Sequence, residues 1–151
     1  MFVVDSACMR QMDEAVIAAG TPGRVLMDRA GRGGARCLLE RPDWLWGTTL
    51  VVCGKGNNGG DGLVIARVLH QRGHPVHAAL TSPADQLSPD AAFHHAAAVE
   101  AGVPLHDWSE DPVARLGEWV SSHPGRSVID GLLGTGFTPP CLLYTSDAAD
   151  E

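Results

Sequence analysis

The sequence contains few positive charges, and those it has are scattered. Lysine occurs once, at Lys55, and 11 Lys and Arg residues stand against 18 Asp and Glu residues, which gives a formal net charge of −7. A nucleic-acid-binding domain needs a cluster of basic residues against the phosphate backbone. The composition therefore argues against a nucleic-acid partner. We expect any anionic ligand to be held mainly by backbone N–H groups and a few arginines.

Cysteine motifs and long apolar runs are also missing. The four cysteines match no CxxC zinc or redox pattern, so we expect separate small apolar side chains in a reducing compartment; they are Cys8, Cys37, Cys53 and Cys141. No apolar run approaches the roughly 20 residues of a membrane span. The N-terminus lacks a basic region followed by an apolar stretch. These features predict a cytoplasmic protein without a membrane partner.

The N-terminal third reads as two helices. Apolar residues make up 44% of the 151 residues, which fits one globular domain. Helical periodicity covers residues 5–20 and roughly 22–40. Met9, Met12, Val16 and Ile17 fall near one face of the first helix, and we expect Met9 and Met12 to belong to the core. Glycines at 31, 33 and 34 are costly inside the second helix and indicate close packing or a weak helix.

After residue 47, strand-like runs alternate with helical patterns. The strand candidates are TTLVVCG, HPVHAALT, VPLHDW and RSVIDGLLGTG, and helices are predicted between them, one of them capped by Ser88 with Pro89 at its first position. This alternation predicts an α/β fold with a parallel sheet after two N-terminal helices. Ligands bind such sheets beyond the carboxyl ends of strands, near a topological switch point. The loops GKGNNGGDG and DGLLGTGFTPP occupy such positions.

The first loop combines five glycines with Asn57, Asn58 and Asp61 between a strand ending at Cys53 and a helix expected to begin near Asp61. Glycine permits positive φ, and a helix N-terminus favours an anion, so we interpret the loop as a phosphate cradle. A tight strand–helix connection is the simpler alternative. The loop is not a Walker A motif, and its literal GxGxxG match is a weak signal. Asp61 would cap the helix, bind a sugar hydroxyl or transfer a proton.

The second loop follows a predicted strand that ends near Asp130. The Asp130 carboxylate is expected to face the ligand crevice or else to cap a turn. Gly134, Thr135 and Gly136 offer further backbone N–H groups. Carboxylate and amide oxygens suit a hard cation, so a cation site is a second hypothesis. No histidine lies in an HExxH pattern and no GxSxG elbow occurs, so neither a zinc protease nor a serine hydrolase is indicated.

Three segments of the chain resemble the NAD(P)H-hydrate epimerase family, the YjeF N-terminal domain. They are MRQMDEAVIAAGTPGRVLMDRAGRG, VVCGKGNNGGDGLVIARVL and VIDGLLGTGF, in the family's order over residues 5 to 140. The resemblance implies a Rossmann-like three-layer α/β/α fold and a homodimer. It implies interconversion of the R and S epimers of hydrated NADH and NADPH, with a companion dehydratase, fused in some parents, acting on the S form. The alternative is a non-catalytic nucleotide-binding or scaffold module of the same superfamily.

The resemblance also assigns residues. Asn57, Asn58, Gly59, Gly60 and Asp61 would contact the hydrated dinucleotide, and Asn58 and Asp130 would ligate a potassium ion. The second contact segment would comprise Gly134, Thr135, Gly136, Phe137, Thr138, Pro139 and Pro140. Asp61 and Asp130 are the candidates for the catalytic acid or base.

The resemblance ends near residue 140. The family pattern continues into a further strand and an IDIPSG-like segment with another ligand-binding aspartate and a potassium-binding serine, whereas CLLYTSDAADE stands here. We therefore expect residues 1–140 to be a partial YjeF N-terminal-like domain and residues 141–151 to be foreign sequence. The fold would then be incomplete at the C-terminus, and the isolated chain would lack part of its site.

Overall fold

The computed structural model describes residues 5–134, with Ser6 described by its backbone alone. Two helices come first, α1 (Ser6–Ala18) and α2 (Gly23–Leu39). Strands and helices then alternate as predicted: β1 (Thr48–Cys53), α3 (Asn57–Gln71), β2 (Val76–Leu80), α4 (Pro89–Glu100), β3 (Leu105–Asp107), α5 (Pro112–Ser122) and β4 (Arg126–Gly131). Short 3-10 turns lie at Pro42–Trp44 and Ala84–Gln86. No helix in the described part combines the length and apolar character needed to cross a membrane.

The described strands form one parallel sheet in the order β3-β2-β1-β4. Val51 at the centre of β1 pairs with Ala78 on one side and Ile129 on the other. The chain moves outward from β1 through β2 to β3 and then returns to the far side of β1 as β4. The topological switch point therefore lies between β1 and β4, and the connections that follow these two strands leave the sheet side by side.

Both faces of the sheet are covered, which gives three layers. Val51 and Cys53 of β1 pack with Leu63 and Leu69 of α3 on one face, where α2 and α4 complete the layer. Leu50 and Val52 face the opposite way, toward Trp108 and Trp119, and Trp119 belongs to α5. Successive strand residues point to opposite faces, so a strand buried on both faces has an almost unbroken apolar sequence. The predicted α/β/α architecture is confirmed.

Two helix starts have side-chain caps, and the predicted cap at Ser88 is confirmed. Asp5 Oδ1 accepts a 2.8 Å hydrogen bond from the Cys8 N–H at the start of α1. Ser88 accepts from the Ala91 N–H at the start of α4, where Pro89 is the first helical residue. These side chains satisfy N–H groups that have no acceptor within the helix.

The expectation that Met9 and Met12 of α1 belong to the core is wrong. All four apolar side chains on that face of the helix are 39–54% exposed: Met9, Met12, Val16 and Ile17. Only α2 makes substantial contact with α1 among the described elements, so periodicity showed an amphipathic helix but not what covers it. The close packing expected of α2 is confirmed at Gly31, where a Cβ atom would overlap Val64 of α3 and lie 2.9 Å from the Asp61 carbonyl oxygen.

Candidate functional site

The glycine-rich segment is mostly helix rather than loop. α3 begins at Asn57, four residues before the predicted start, and Gly56 is its N-cap with an extended backbone. Asn57, Asn58 and the glycines at 59 and 60 therefore form the first helical turn. Asp61 lies inside the helix, so the interpretation of Asp61 as the N-cap is wrong. Glycine has a low helix propensity, which is why the sequence pattern predicts a loop here.

The glycines of this segment serve close approach and not positive φ. None of the glycines from 54 to 62 has positive φ. A Cβ atom at Gly59 would instead overlap the carbonyl of Gly54, and one at Gly54 would overlap the carbonyl of Leu132. A Cβ atom at Gly60 would overlap the side chain of Met27 in α2. The absent side chains thus let the backbone of Gly54 pack against the start of α3 on one side and against the segment after β4 on the other.

The N-terminus of α3 is available to an anion. No side chain caps it, and the first intrahelical bond in this turn runs from the Gly60 N–H to the Gly56 carbonyl oxygen at 3.1 Å. The N–H groups of residues 57 to 59 precede that bond and have no acceptor within the helix. Together with the helix dipole they favour a phosphate or another anion at this point.

Asn58 connects the two predicted loops. Its Nδ2 donates a 2.9 Å hydrogen bond to the Leu133 carbonyl oxygen, and a Cβ atom at Gly134 would lie 3.2 Å from Asn58 Cβ. The side chain of Asn57 turns instead toward α4, where its Oδ1 accepts a 3.3 Å bond from Ser88 Oγ. The structure therefore brings Asn58 of the first predicted loop and Gly134 of the second together. The predicted contacts at Thr135, Gly136, Phe137, Thr138, Pro139 and Pro140 lie outside the described residues.

A cavity of about 610 Å³ opens between these segments. Its lining residues come from α1, from the start of α3 and from the end of the described chain: Arg10, Asp13, Lys55, Gly56, Asn57, Asn58, Asp61, Leu132, Leu133 and Gly134. A smaller cavity of about 160 Å³ adjoins it and shares Asp13, Asn57 and Asp61. The sequence interpretation missed Arg10, Asp13 and Lys55 as site residues. The sequence holds one hint for two of them, because the three-residue spacing of Arg10 and Asp13 places both on one face of a helix.

Asp61 is the perturbed acid of this cavity. Its side chain is half-buried, and burial raises the pKa of Asp61 to about 6, with the Asp13 carboxylate adding to the rise. The packing of α2 at Gly31 holds the Asp61 backbone in place. A cavity carboxyl that titrates this close to neutral pH is a candidate for proton transfer.

Asp130 lies near the end of β4, as predicted, but it does not line the cavity. It pairs in register with Val52, so it lies on the α5 face of the sheet. Its Oδ1 accepts a 2.8 Å bond from the Leu132 N–H, which is the turn-capping alternative. Among the described residues that line the two cavities, Asp130 is not included. The catalytic and potassium-binding roles assigned to it stay predictions.

Comparison with known proteins points to one family. A family described as YjeF-related protein N-terminus matches residues 23–148. An NAD(P)H-hydrate epimerase of Rhodopirellula baltica is 38% identical over 143 residues, which is 91% of this chain and 50% of that protein. One from Pirellula staleyi is 39% identical over 90% of this chain and 59% of its own length.

Two further comparisons concern a fused protein and a solved structure. The bifunctional NAD(P)H-hydrate repair enzyme Nnr of Salinibacter ruber is 39% identical over 90% of this chain and 27% of its own length. The crystal structure of yeast ynu0 (YNL200c) superposes with a TM-score of 0.74, at 24% identity, over 95% of this chain and 61% of that one. This likeness concerns the fold alone. The chain spans about half the length of the two epimerases named above.

Proposed function

The chain belongs to the YjeF-related protein N-terminus family, and on that premise we propose that it takes part in interconverting the R and S epimers of hydrated NADH and NADPH. The observation that carries the proposal is the cavity in which the uncapped start of α3 and the half-buried Asp61 meet. The helix start suits the anionic pyrophosphate of a dinucleotide, and the Asp61 carboxyl suits proton transfer at a reacting carbon.

The charges around the cavity support a dinucleotide. Lys55 is the single lysine of an acidic chain, and it lines the cavity together with Arg10. Both cations line the same cavity as the first turn of α3. A pyrophosphate at this helix start would gain backbone hydrogen bonds and two positive charges.

The proposed reaction needs a proton donor that is partly protonated near neutral pH. In the hydrate, C6 carries a hydroxyl group beside the ring nitrogen. A proton from a carboxylic acid reaches that hydroxyl, the C–O bond breaks and water leaves, while the nitrogen lone pair forms an iminium. A water molecule then adds to the opposite face and returns a proton to the carboxylate. Since burial raises the pKa of Asp61 to about 6, both of its protonation states are populated near neutrality.

We propose Asn58 and Asp130 as ligands of a potassium ion. The donor types fit, because potassium takes oxygen ligands. Asn58 uses its amide nitrogen for the bond to Leu133, so its amide oxygen is the atom that would face a cation. Asp130 would contribute a carboxylate oxygen from beside Leu132. The role of the ion would be to neutralise charge where the segment after β4 meets α3.

Three further proposals concern assembly and location. We propose a homodimer, supported by the apolar stripe of α1 that the described chain leaves exposed. We propose a companion dehydratase, because the Salinibacter ruber relative is named a bifunctional repair enzyme. We also propose a cytoplasmic location, because the proposed substrate derives from nicotinamide cofactors that are used in the cytoplasm.

Equilibration of purified R and S NADPH hydrate, followed by NMR or chromatography, tests the function. The assay uses the 151-residue chain and, in parallel, the complete gene product. We expect faster equilibration than in buffer, and loss of the acceleration in Asp61→Ala. The matched control is Asp43→Ala, an exposed aspartate in the turn before the amino end of β1. No acceleration by either protein, combined with saturable binding of the hydrate, would favour a non-catalytic binding module instead.

A further inference from the structure

One face of α1 lies over the candidate site. Arg10 lines the large cavity, Ile17 lines the small one, and Asp13 lines both. The spacing of three and four residues places these side chains on one face of the helix. Asp13 therefore stands at the junction of the two cavities. Asp61 and Asn57 are the other residues at this junction.

Two carboxylates, those of Asp13 and Asp61, lie at this junction. No hydrogen bond or ion pair to the Asp61 side chain occurs within residues 5–134. The charged groups that face Asp61 are Asp13 and Arg10 from α1, Lys55 from the β1–α3 connection, and Asp90 from α4. Burial is the first cause of the raised pKa of Asp61, and the Asp13 carboxylate is the second. Two nearby carboxylates resist ionising together, so one of them keeps its proton to higher pH.

We propose that Asp13 is a positioning residue of the site, whose negative charge keeps a proton on Asp61 and so prepares Asp61 to protonate the departing hydroxyl group of the hydrate. This inference rests on the proposed function. Asp13 transfers no proton itself: Asp61 gives its proton to the hydroxyl oxygen, the C–O bond breaks, and the incoming water later restores the proton. α1 would thereby be part of the reaction machinery and not only a covering helix.

A carboxyl titration tests the pair without any activity measurement. The chain is labelled with ¹³C at the aspartate carboxyl carbons, and the Asp61 signal is identified by its loss in Asp61→Asn. In the wild type we expect a midpoint near 6, and in Asp13→Asn a midpoint moved toward the ordinary value of 3.8. Asp13→Glu keeps the charge and should keep the midpoint high. Glu14→Gln, an exposed neighbour on α1, is the control that should leave it unchanged.

The pH profile of epimerisation provides the second measurement. If Asp61 must be protonated, the descending limb of kcat/KM should move to lower pH in Asp13→Asn. Its rate should fall several-fold at pH 7.5 and approach the wild-type rate near pH 5. An unchanged Asp61 midpoint in Asp13→Asn would overturn the pairing. A shifted midpoint in a protein that shows no epimerisation would instead support the pairing and reject the proposed function.

Discussion

The amide nitrogen of Asn58 lies 2.9 Å from the carbonyl oxygen of Leu133, although the two residues are 75 positions apart. This hydrogen bond ties the first turn of α3 to the segment that follows β4. The backbone of Gly54 packs against that of Leu132 at the same place. The two segments that form the cavity are therefore held together by one side chain and by backbone contact.

Asn58→Ala should loosen the segment after β4. The variant loses the bond to Leu133, and we expect destabilisation of about 0.5–1.5 kcal/mol in denaturant unfolding. Amide hydrogen exchange at residues 132–134 should accelerate more than exchange in the sheet. Asn57→Ala is the matched control, because its side chain bonds to Ser88 on the other side. Equal exchange in both variants would mean that the bond does not hold the segment.

Gly59→Ala should destabilise the protein by about 1–3 kcal/mol, because the new methyl group would overlap the Gly54 carbonyl and push the start of α3 away. Gly33→Ala in α2 is the control. It also lies within a helix, but a Cβ atom there meets nothing within 4 Å, so the better helix propensity of alanine should stabilise by up to about 1 kcal/mol. Chemical denaturation of both variants measures the difference. Similar effects at the two positions would contradict the close-approach explanation.

Asp61→Asn should change stability in a pH-dependent way. The folded-state pKa of Asp61 is raised from 3.8 to about 6, so its stabilising contribution is complete below pH 3.8 and is lost as pH rises through 6. Asparagine carries no charge and escapes this loss. The stability of the variant relative to wild type should therefore grow between pH 4 and pH 6.5 and then level off. Urea midpoints across this range measure the stability difference, with the exposed Asp43→Asn variant as the control.

A histidine cluster on the α5 face should make the protein sensitive to mild acid. His77 Nδ1 lies 2.8 Å from His106 Nε2, and the His77 and His123 rings are 5.9 Å apart. Burial lowers the pKa of His77, and the neighbouring His106 and His123 lower it further. The unfolded chain takes up protons that the folded cluster resists, so stability should fall as pH decreases below about 6.5.

The contribution of this cluster is separable by mutation. His106→Gln removes one titratable ring from the cluster and should flatten the decline in thermal stability between pH 6.5 and pH 5. His95→Gln is the control, because His95 belongs to α4 on the opposite face of the sheet. A decline of unchanged steepness in His106→Gln would show that other groups cause the acid sensitivity.

Much of the fold was predictable because its signals are local. The alternation of strand and helix patterns, the cap at Ser88 and the switch-point loops depend on short-range periodicity and backbone chemistry. The position of the α3 N-terminus was not predictable in this way. Glycines at 59 and 60 lower helix propensity, and only packing against Gly54 and Met27 explains why the helix includes them.

The sequence by itself determined the α/β class, the family motif and the two segments that would meet at the switch point. The tertiary structure decided which side chains share the cavity. It added Arg10 and Asp13 from α1 and turned Asp130 toward the α5 face. It also showed that the crowded glycines provide close backbone contact and not positive φ. The physical reason is that motifs and caps act within a few residues, whereas burial, cavity lining and pKa shifts arise from groups that folding brings together across the chain.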